Sequence, residues 1–206
     1  MTHPVNPLWR GTAPLLLASK SAARRALLEA AKLPFEILGV EVDERAVEAE
    51  APEDGPDGVA RRLAREKALA GSRLRPDALV IGADQTLALG SESFHKPVDR
   101  DAARAQLARL AGRTHALHSA VALARDGAIV FDTVEAAHLT MRPLQPSSLD
   151  AYLDAAGDAV LGSVGGYQLE GLGIHLFERI EGAHSVILGL PLLPLLGFLR
   201  RESVLL

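Results

Sequence analysis

The run Ala78-Leu79-Val80-Ile81-Gly82-Ala83-Asp84 constrains this chain more than any other segment. Its β-branched apolar side chains suit a pleated sheet, and an unbroken apolar run is what a strand covered on both faces needs. The run ends in an acid. A carboxylate closing a buried strand either emerges at the carboxyl edge of the sheet or is buried at high cost. Asp84 is therefore a candidate for metal ligation or general-base work. The competing reading is an aspartate that caps the next turn.

Around this strand the pattern alternates. Leu15 to Ala18 reads as a short buried strand, and Ala22 to Ala31 as a helix with Leu27 and Leu28 on its apolar side. Pro34 breaks that helix, and Phe35 to Val42 is expected as a second strand. Ala51 to Gly58 is rich in Pro, Asp and Gly and reads as a loop, followed by a helix from Val59 to Ser72. Strand is expected to continue from Thr86 to Leu89. A helix from Asp101 to Ala111 is closed by Gly112. Leu117 to Ala124 and Ala128 to Leu139 form an expected hairpin around Asp126-Gly127. Ser147 to Ala156 reads as a helix, Gly162 to Gly173 as a glycine-rich stretch, and Ile174 to Ile180 as a strand. Val186 to Leu199 is expected to be a buried strand turning into a helix. Alternating strands and helices predict an α/β fold. The chain reads as one domain over residues 1–206, with residues 1–14 as a flexible N-terminal extension.

Composition narrows the function. The 206 residues carry a net charge of -4, and aromatics make up 4%. Proteins that grip a nucleic-acid backbone usually show a basic face or an aromatic stacking platform, so no nucleic-acid partner is expected. Cysteine is absent, which excludes a disulfide scaffold, a thiolate zinc site and a cysteine nucleophile. That fits a reducing compartment, and the first residues show no signal-peptide pattern, so a cytoplasmic location is expected. The longest apolar stretch is about 14 residues with two prolines, short of the roughly 20 that a membrane span needs.

Polar candidates cluster where strands meet helices. Ser19, Ser21, Arg24 and Arg25 lie between the first strand and first helix, where free N–H groups, hydroxyls and guanidinium groups can bind an anion; an ordinary serine cap with solvated arginines is the plain alternative. Asp43 and Glu44 follow a strand and could hold a divalent cation, or could line a solvated turn. Lys67, on a helix, and Lys96, before Pro97, could meet phosphate or could be ordinary surface lysines. There is no phosphate-loop motif and no dinucleotide glycine fingerprint. His115 and His118 lack an acidic partner and are not expected to bind metal.

Taken in order, the motifs resemble the Maf family of nucleotide pyrophosphatases. They are Leu-Ala-Ser-Lys-Ser-Ala-Ala-Arg-Arg at 17–25, Glu-Val-Asp-Glu at 41–44, Ala-Arg-Glu-Lys-Ala at 64–68 and Ile-Gly-Ala-Asp-Gln-Thr at 81–86. Lys-Pro at 96–97, Leu-Ala-Gly-Arg-Thr-His at 110–115, Gly-Tyr-Gln-Leu-Glu-Gly at 166–171 and Gly-Leu-Pro-Leu at 189–192 complete the series. The resemblance implies a mixed β-sheet flanked by helices, of the inosine-triphosphatase type, with two lobes around a deep nucleotide-binding cleft. It implies an assembly that is often dimeric. It also implies hydrolysis of a nucleoside triphosphate to the monophosphate and pyrophosphate. Asp84, Lys67 and Lys96 would be catalytic, and Glu44 with Asp84 would hold Mg²⁺ or Mn²⁺. Ser19, Ser21, Arg24, Arg25, Gln85, Thr86, Arg113 and Glu170 would bind substrate. The family usually shows Ser-Pro-Arg-Arg where this chain has Ala22-Ala23 before Arg24-Arg25, so both arginines stay candidates for the phosphate contact.

Base selectivity has its own signal. Relatives selective for thymine and uracil nucleotides resemble Gly-Ile-Gln-Gly where this chain has Gln168-Leu169-Glu170-Gly171, whereas relatives acting on 7-methyl-GTP carry an acid there. Methylation at N7 makes guanine cationic, which favours a carboxylate beside it. A 7-methyl-GTP preference is therefore expected. The alternatives are a dTTP/UTP-selective enzyme and a non-catalytic nucleotide-binding regulator of cell division.

Overall fold

The computed structural model describes residues 6–50 and 53–206. The structure is α/β, with a seven-stranded mixed sheet. It begins with β1 (Leu15–Ala18), α1 (Ala22–Ala30), β2 (Phe35–Ile37), α2 (Glu44–Ala49), α3 (Pro56–Leu74) and β3 (Val80–Leu89). It continues through β4 (Glu92–Phe94), α4 (Arg100–Leu110), β5 (Thr114–Arg125), β6 (Ala128–Met141) and α5 (Pro146–Ala156). Three short 3₁₀ segments lie between Gly157 and Leu176, and β7 (Phe177–Glu181), α6 (His184–Ile187) and α7 (Leu192–Arg201) end the chain. Sheet order is β2-β1-β3-β5-β6-β7, with β4 on β3. β1 is parallel to both β2 and β3, while β4 and β7 run antiparallel to their partners.

The chain divides into two compact units. The first comprises residues 1–85, 119–135 and 184–206 and the second residues 86–118 and 136–183, so β3, β5 and β6 each supply both. In the first unit, β1, β3 and β5 place Leu15, Leu17, Ile81, Val121 and Leu123 in a core closed by Leu28 of α1 and by Leu195, Phe198 and Leu199 of α7. A second cluster is built almost wholly of alanine: Ala60, Ala64 and Ala68 of α3 against Ala120, Ala122 and Ala124 of β5. Such small side chains let helix and sheet approach closely. Gly82 carries this furthest, since a Cβ there would lie 2.1 Å from the Ala64 carbonyl oxygen and 2.4 Å from the Ala68 nitrogen. That approach brings Lys67 of α3 beside Asp84 of β3.

Several expectations change. β2 stops at Ile37 rather than Val42, because β1 is only four residues long and pairs with it through Leu15, Leu16 and Leu17. A backbone without a ladder partner does not continue as strand. The run from Val186 to Leu199 contains no strand: a helical turn and α7 fill it, separated at Gly189 and Pro191. Pro191 and Pro194 lack the N–H groups that a central strand donates. α2 and β4 were not expected; α2 has no buried residue and thus no apolar period to betray it. α3 starts at Pro56, inside the segment expected to be loop, and residues 51–52 of that loop lie outside the described residues. β7 begins at Phe177, after a 3₁₀ turn over Leu172–Leu176. The hairpin at Asp126-Gly127 forms as expected, with φ of +52° and +72°, the positive pair that a tight two-residue turn demands.

Trp9 makes an isolated antiparallel bridge with Leu205 and packs on the first-unit core. Residues 1–5 of the expected extension lie outside the described residues. Among the described residues, no helix is long and apolar enough to cross a membrane.

Candidate active site

Three charged side chains of the first unit meet at one nitrogen. The Lys67 Nζ donates to Asp84 Oδ1 at 2.6 Å and lies 2.6 Å from Glu44 Oε1. Asp84 is buried, reached along an apolar strand whose Val80 to Ala83 are all covered. The Lys67 side chain is 14% exposed and that of Glu44 is 56% exposed. The cluster is thus a buried ion pair with a third, solvent-facing carboxylate on the first turn of α2. Asp43, next to Glu44, caps that helix by accepting from the Ala46 N–H at 3.1 Å, so of the two adjacent acids one builds the helix end and the other faces Lys67.

A fourth charge lies in the same unit. Arg24 is buried, and its guanidinium donates in three directions: Nε to the Gly189 carbonyl at 2.8 Å, and Nη1 to the Ala83 carbonyl at 2.9 Å and to Ser19 Oγ at 3.1 Å. Burial pulls the Arg24 pKa below its usual value, and the nearby Asp84 and Glu44 charges oppose that pull. A buried guanidinium is tolerable when its donors are met in this way.

The serines divide. Ser21 is the N-cap of α1, accepting from the Arg24 N–H, while Ser19 Oγ accepts from the Ser21 N–H at 3.3 Å as well as from Arg24. Arg25 is exposed beside them. Gln85, expected to contact substrate, turns its amide inward: Nε2 donates to Ser119 Oγ at 2.9 Å and to the carbonyls of Val186 and Ile187 at 3.1 and 2.9 Å. Ser119 was not singled out from the sequence, although a lone hydroxyl inside the apolar run of β5 was a usable signal.

The remaining expected residues belong to the second unit. Lys96 is exposed between β4 and α4, Arg113 is exposed at the start of β5, and Glu170 is exposed in the glycine-rich stretch. Thr86 is half-buried, immediately after Gln85. Beneath that stretch, His115 is buried, with Nε2 2.7 Å from the Tyr167 hydroxyl and its ring tilted against Phe177. Burial holds His115 down to about 4, so the ring is neutral at ordinary pH. Tyr152 is pushed up to about 12 by burial.

The donor set suits a hard divalent cation. Two carboxylates converge on one cationic point, and Mg²⁺ is commonly held by one or two carboxylates plus substrate phosphates. Among the described residues, no group of three or more His, Asp or Glu gathers to cage a metal unaided.

Comparison with known proteins follows this geometry. The model of the Maf-like protein family matches residues 14–202. A nucleoside triphosphate pyrophosphatase of Bradyrhizobium diazoefficiens is 58% identical over 96% of this chain and 98% of its own. One of the same name from Rhodopseudomonas palustris strain HaA2 is 54% identical over the same shares. A 7-methyl-GTP pyrophosphatase of Brucella abortus is 53% identical over 93% of this chain and 98% of its own.

Proposed function

This chain belongs to the Maf-like protein family, and we propose that it is a nucleoside triphosphate pyrophosphatase that prefers 7-methyl-GTP or another nucleotide with a cationic base. The observation that carries the reading is the meeting of Glu44, Lys67 and Asp84 at one ammonium, at the end of a buried strand.

On this reading Asp84 takes the proton from a water that attacks the α-phosphorus, giving a nucleoside monophosphate and pyrophosphate. A positioned base of this kind is commonly worth 10²–10⁴ in rate. Lys67 offsets charge that develops on the phosphate oxygens, and its bond to Asp84 keeps that carboxylate ionised. Ser19 and Arg25 meet the phosphates from the start of α1, and Lys96 from the second unit adds a further cation. Glu44 and Asp84 would hold the Mg²⁺ or Mn²⁺. When bound, that ion neutralises phosphate charge and polarises the bond to be broken. Glu170 favours the cationic N7-methylguanine. The identity to a Brucella protein named for this substrate supports the finer reading. The place of action is the cytoplasm, and a homodimer is the proposed assembly.

The test is a side-by-side determination of kcat/KM for 7-methyl-GTP, GTP, dTTP and UTP with Mg²⁺ or Mn²⁺, with products identified. The reading expects pyrophosphate release and the highest value for 7-methyl-GTP. A clear dTTP preference overturns the substrate assignment, and release of orthophosphate alone overturns the reaction.

A further inference from the structure

The motif Gly-Leu-Pro-Leu at 189–192 has no part in the chemistry above, yet it begins where the Arg24 guanidinium ends. The helical turn α6 closes on a glycine: the Gly189 N–H donates to the Val186 carbonyl at 3.0 Å and the Leu190 N–H to the Ser185 carbonyl at 2.9 Å. With Gly189 at φ +91°, this is the paired-bond helix end that glycine favours. Carbonyls at such an end need partners from elsewhere. Here they come from β3, β5 and α1. Gln85 donates to Val186 and Ile187, Ser119 Oγ donates to the Val186 carbonyl at 2.7 Å, and Arg24 donates to Gly189.

Two of these donors bracket Asp84. Gln85 is the next residue in β3, and Arg24 also holds the carbonyl of Ala83, the residue before. The strand segment that delivers the carboxylate is therefore tied on both sides to one turn about a hundred residues away in sequence. A Cβ on Gly189 would lie 3.2 Å from Arg24 Nε and 3.3 Å from Nη2, at a φ that side chains rarely adopt. Any shift of Arg24 is passed to Ala83 and to Ser19, because one planar fork serves all three acceptors.

We infer that Gly189 and the turn it closes form a positioning element for Asp84, acting through Arg24 and Gln85. The inference rests on Asp84 being the reacting carboxylate. It also gives Arg24 and Gln85 a task other than gripping substrate: their donors are committed to backbone carbonyls and hydroxyls of the fold. Small displacements of a reacting group cost large factors in rate, so a helix end that touches no substrate can still govern turnover.

The test compares Gly189→Ala and Gln85→Met with wild type by circular dichroism, by kcat and KM, and by amide hydrogen exchange over Gly82 to Gln85. The expected result is native-like dichroism, a kcat lower by about tenfold or more, a KM within about twofold, and faster exchange in Gly82 to Gln85 while β7 keeps its protection. A raised KM with kcat retained makes these residues substrate contacts and overturns the inference. Unchanged exchange over Gly82 to Gln85 overturns it as well. Should Gly189→Ala fail to fold, Gln85→Met and Ser119→Ala carry the same readouts. If wild type hydrolyses no nucleoside triphosphate, the proposed function falls, while the exchange comparison still decides whether the turn holds the strand.

Discussion

In the first unit the polar side chains expected to act are buried and held. Asp84 is gripped by Lys67, Ala83 by Arg24, and Gln85 by a helix end, each within hydrogen-bonding distance. In the second unit the expected side chains Lys96, Arg113 and Glu170 are all exposed, and the buried polar pair, His115 with Tyr167, lies under the glycine-rich stretch. The contrast separates two kinds of work. A group that must present one proton acceptor in one place benefits from a network that removes its freedom, and in a low-dielectric setting that network is also electrostatically strong. A group that selects among ligands benefits from being free to meet them. Variants in the first unit should therefore change turnover, and variants in the second should change which nucleotide is turned over.

The largest loss outside Asp84 itself is expected from Lys67→Met. It strips the buried carboxylate of its partner and removes a cation from the site, and kcat should fall by about a hundredfold. A loss confined to KM would move Lys67 into the binding class and blur the contrast. Next is Gly82→Ala. Its methyl group would meet the α3 backbone, which cannot yield as a side-chain tip can, so overpacking should cost about 1–3 kcal/mol in denaturant unfolding and lower activity as α3 moves away. Stability equal to wild type would show that α3 does not need this approach.

Glu170→Gln comes third and tests the other side of the contrast. It should cut kcat/KM for 7-methyl-GTP by roughly tenfold, with smaller effects on dTTP and no change in melting temperature, since the residue is exposed. Equal losses on all nucleotides would make Glu170 part of the machinery rather than of selection. At neutral pH the smallest effect belongs to His115→Phe. Burial lowers the His115 pKa to about 4, so the unfolded chain binds a proton that the folded chain refuses between about 6.5 and about 4. Wild-type stability should be full above about 6.5 and decline as pH falls through that window. In the variant, melting temperatures across it should decline less; an identical decline would clear His115 of the effect.

Much of this was legible in the residues. β1 and α1 lie where their patterns put them, and Asp84 stands at a buried strand because only a covered strand tolerates Val80, Ile81 and Ala83 in succession. What could not be read was carried by backbone groups or by distance. The pairing of Lys67 with Asp84 depends on a glycine that permits close approach, not on any spacing between the two. Ser21 and Asp43 turned out to cap helices, the plain reading of each. Gln85 and Arg24 donate to carbonyl oxygens, and every residue has a carbonyl, so no side-chain pattern marks the acceptors. Val186 to Leu199 was misread because apolar content was weighed above its two prolines.

The account turns on Asp84 as the group that activates water. The most direct measurement is kcat of Asp84→Asn beside wild type on the best nucleotide, with the fold checked by circular dichroism and the products identified. The account predicts a native-like spectrum and a kcat lower by at least about a hundredfold, with wild type forming the monophosphate and pyrophosphate. A folded variant that turns over at the wild-type rate would contradict it.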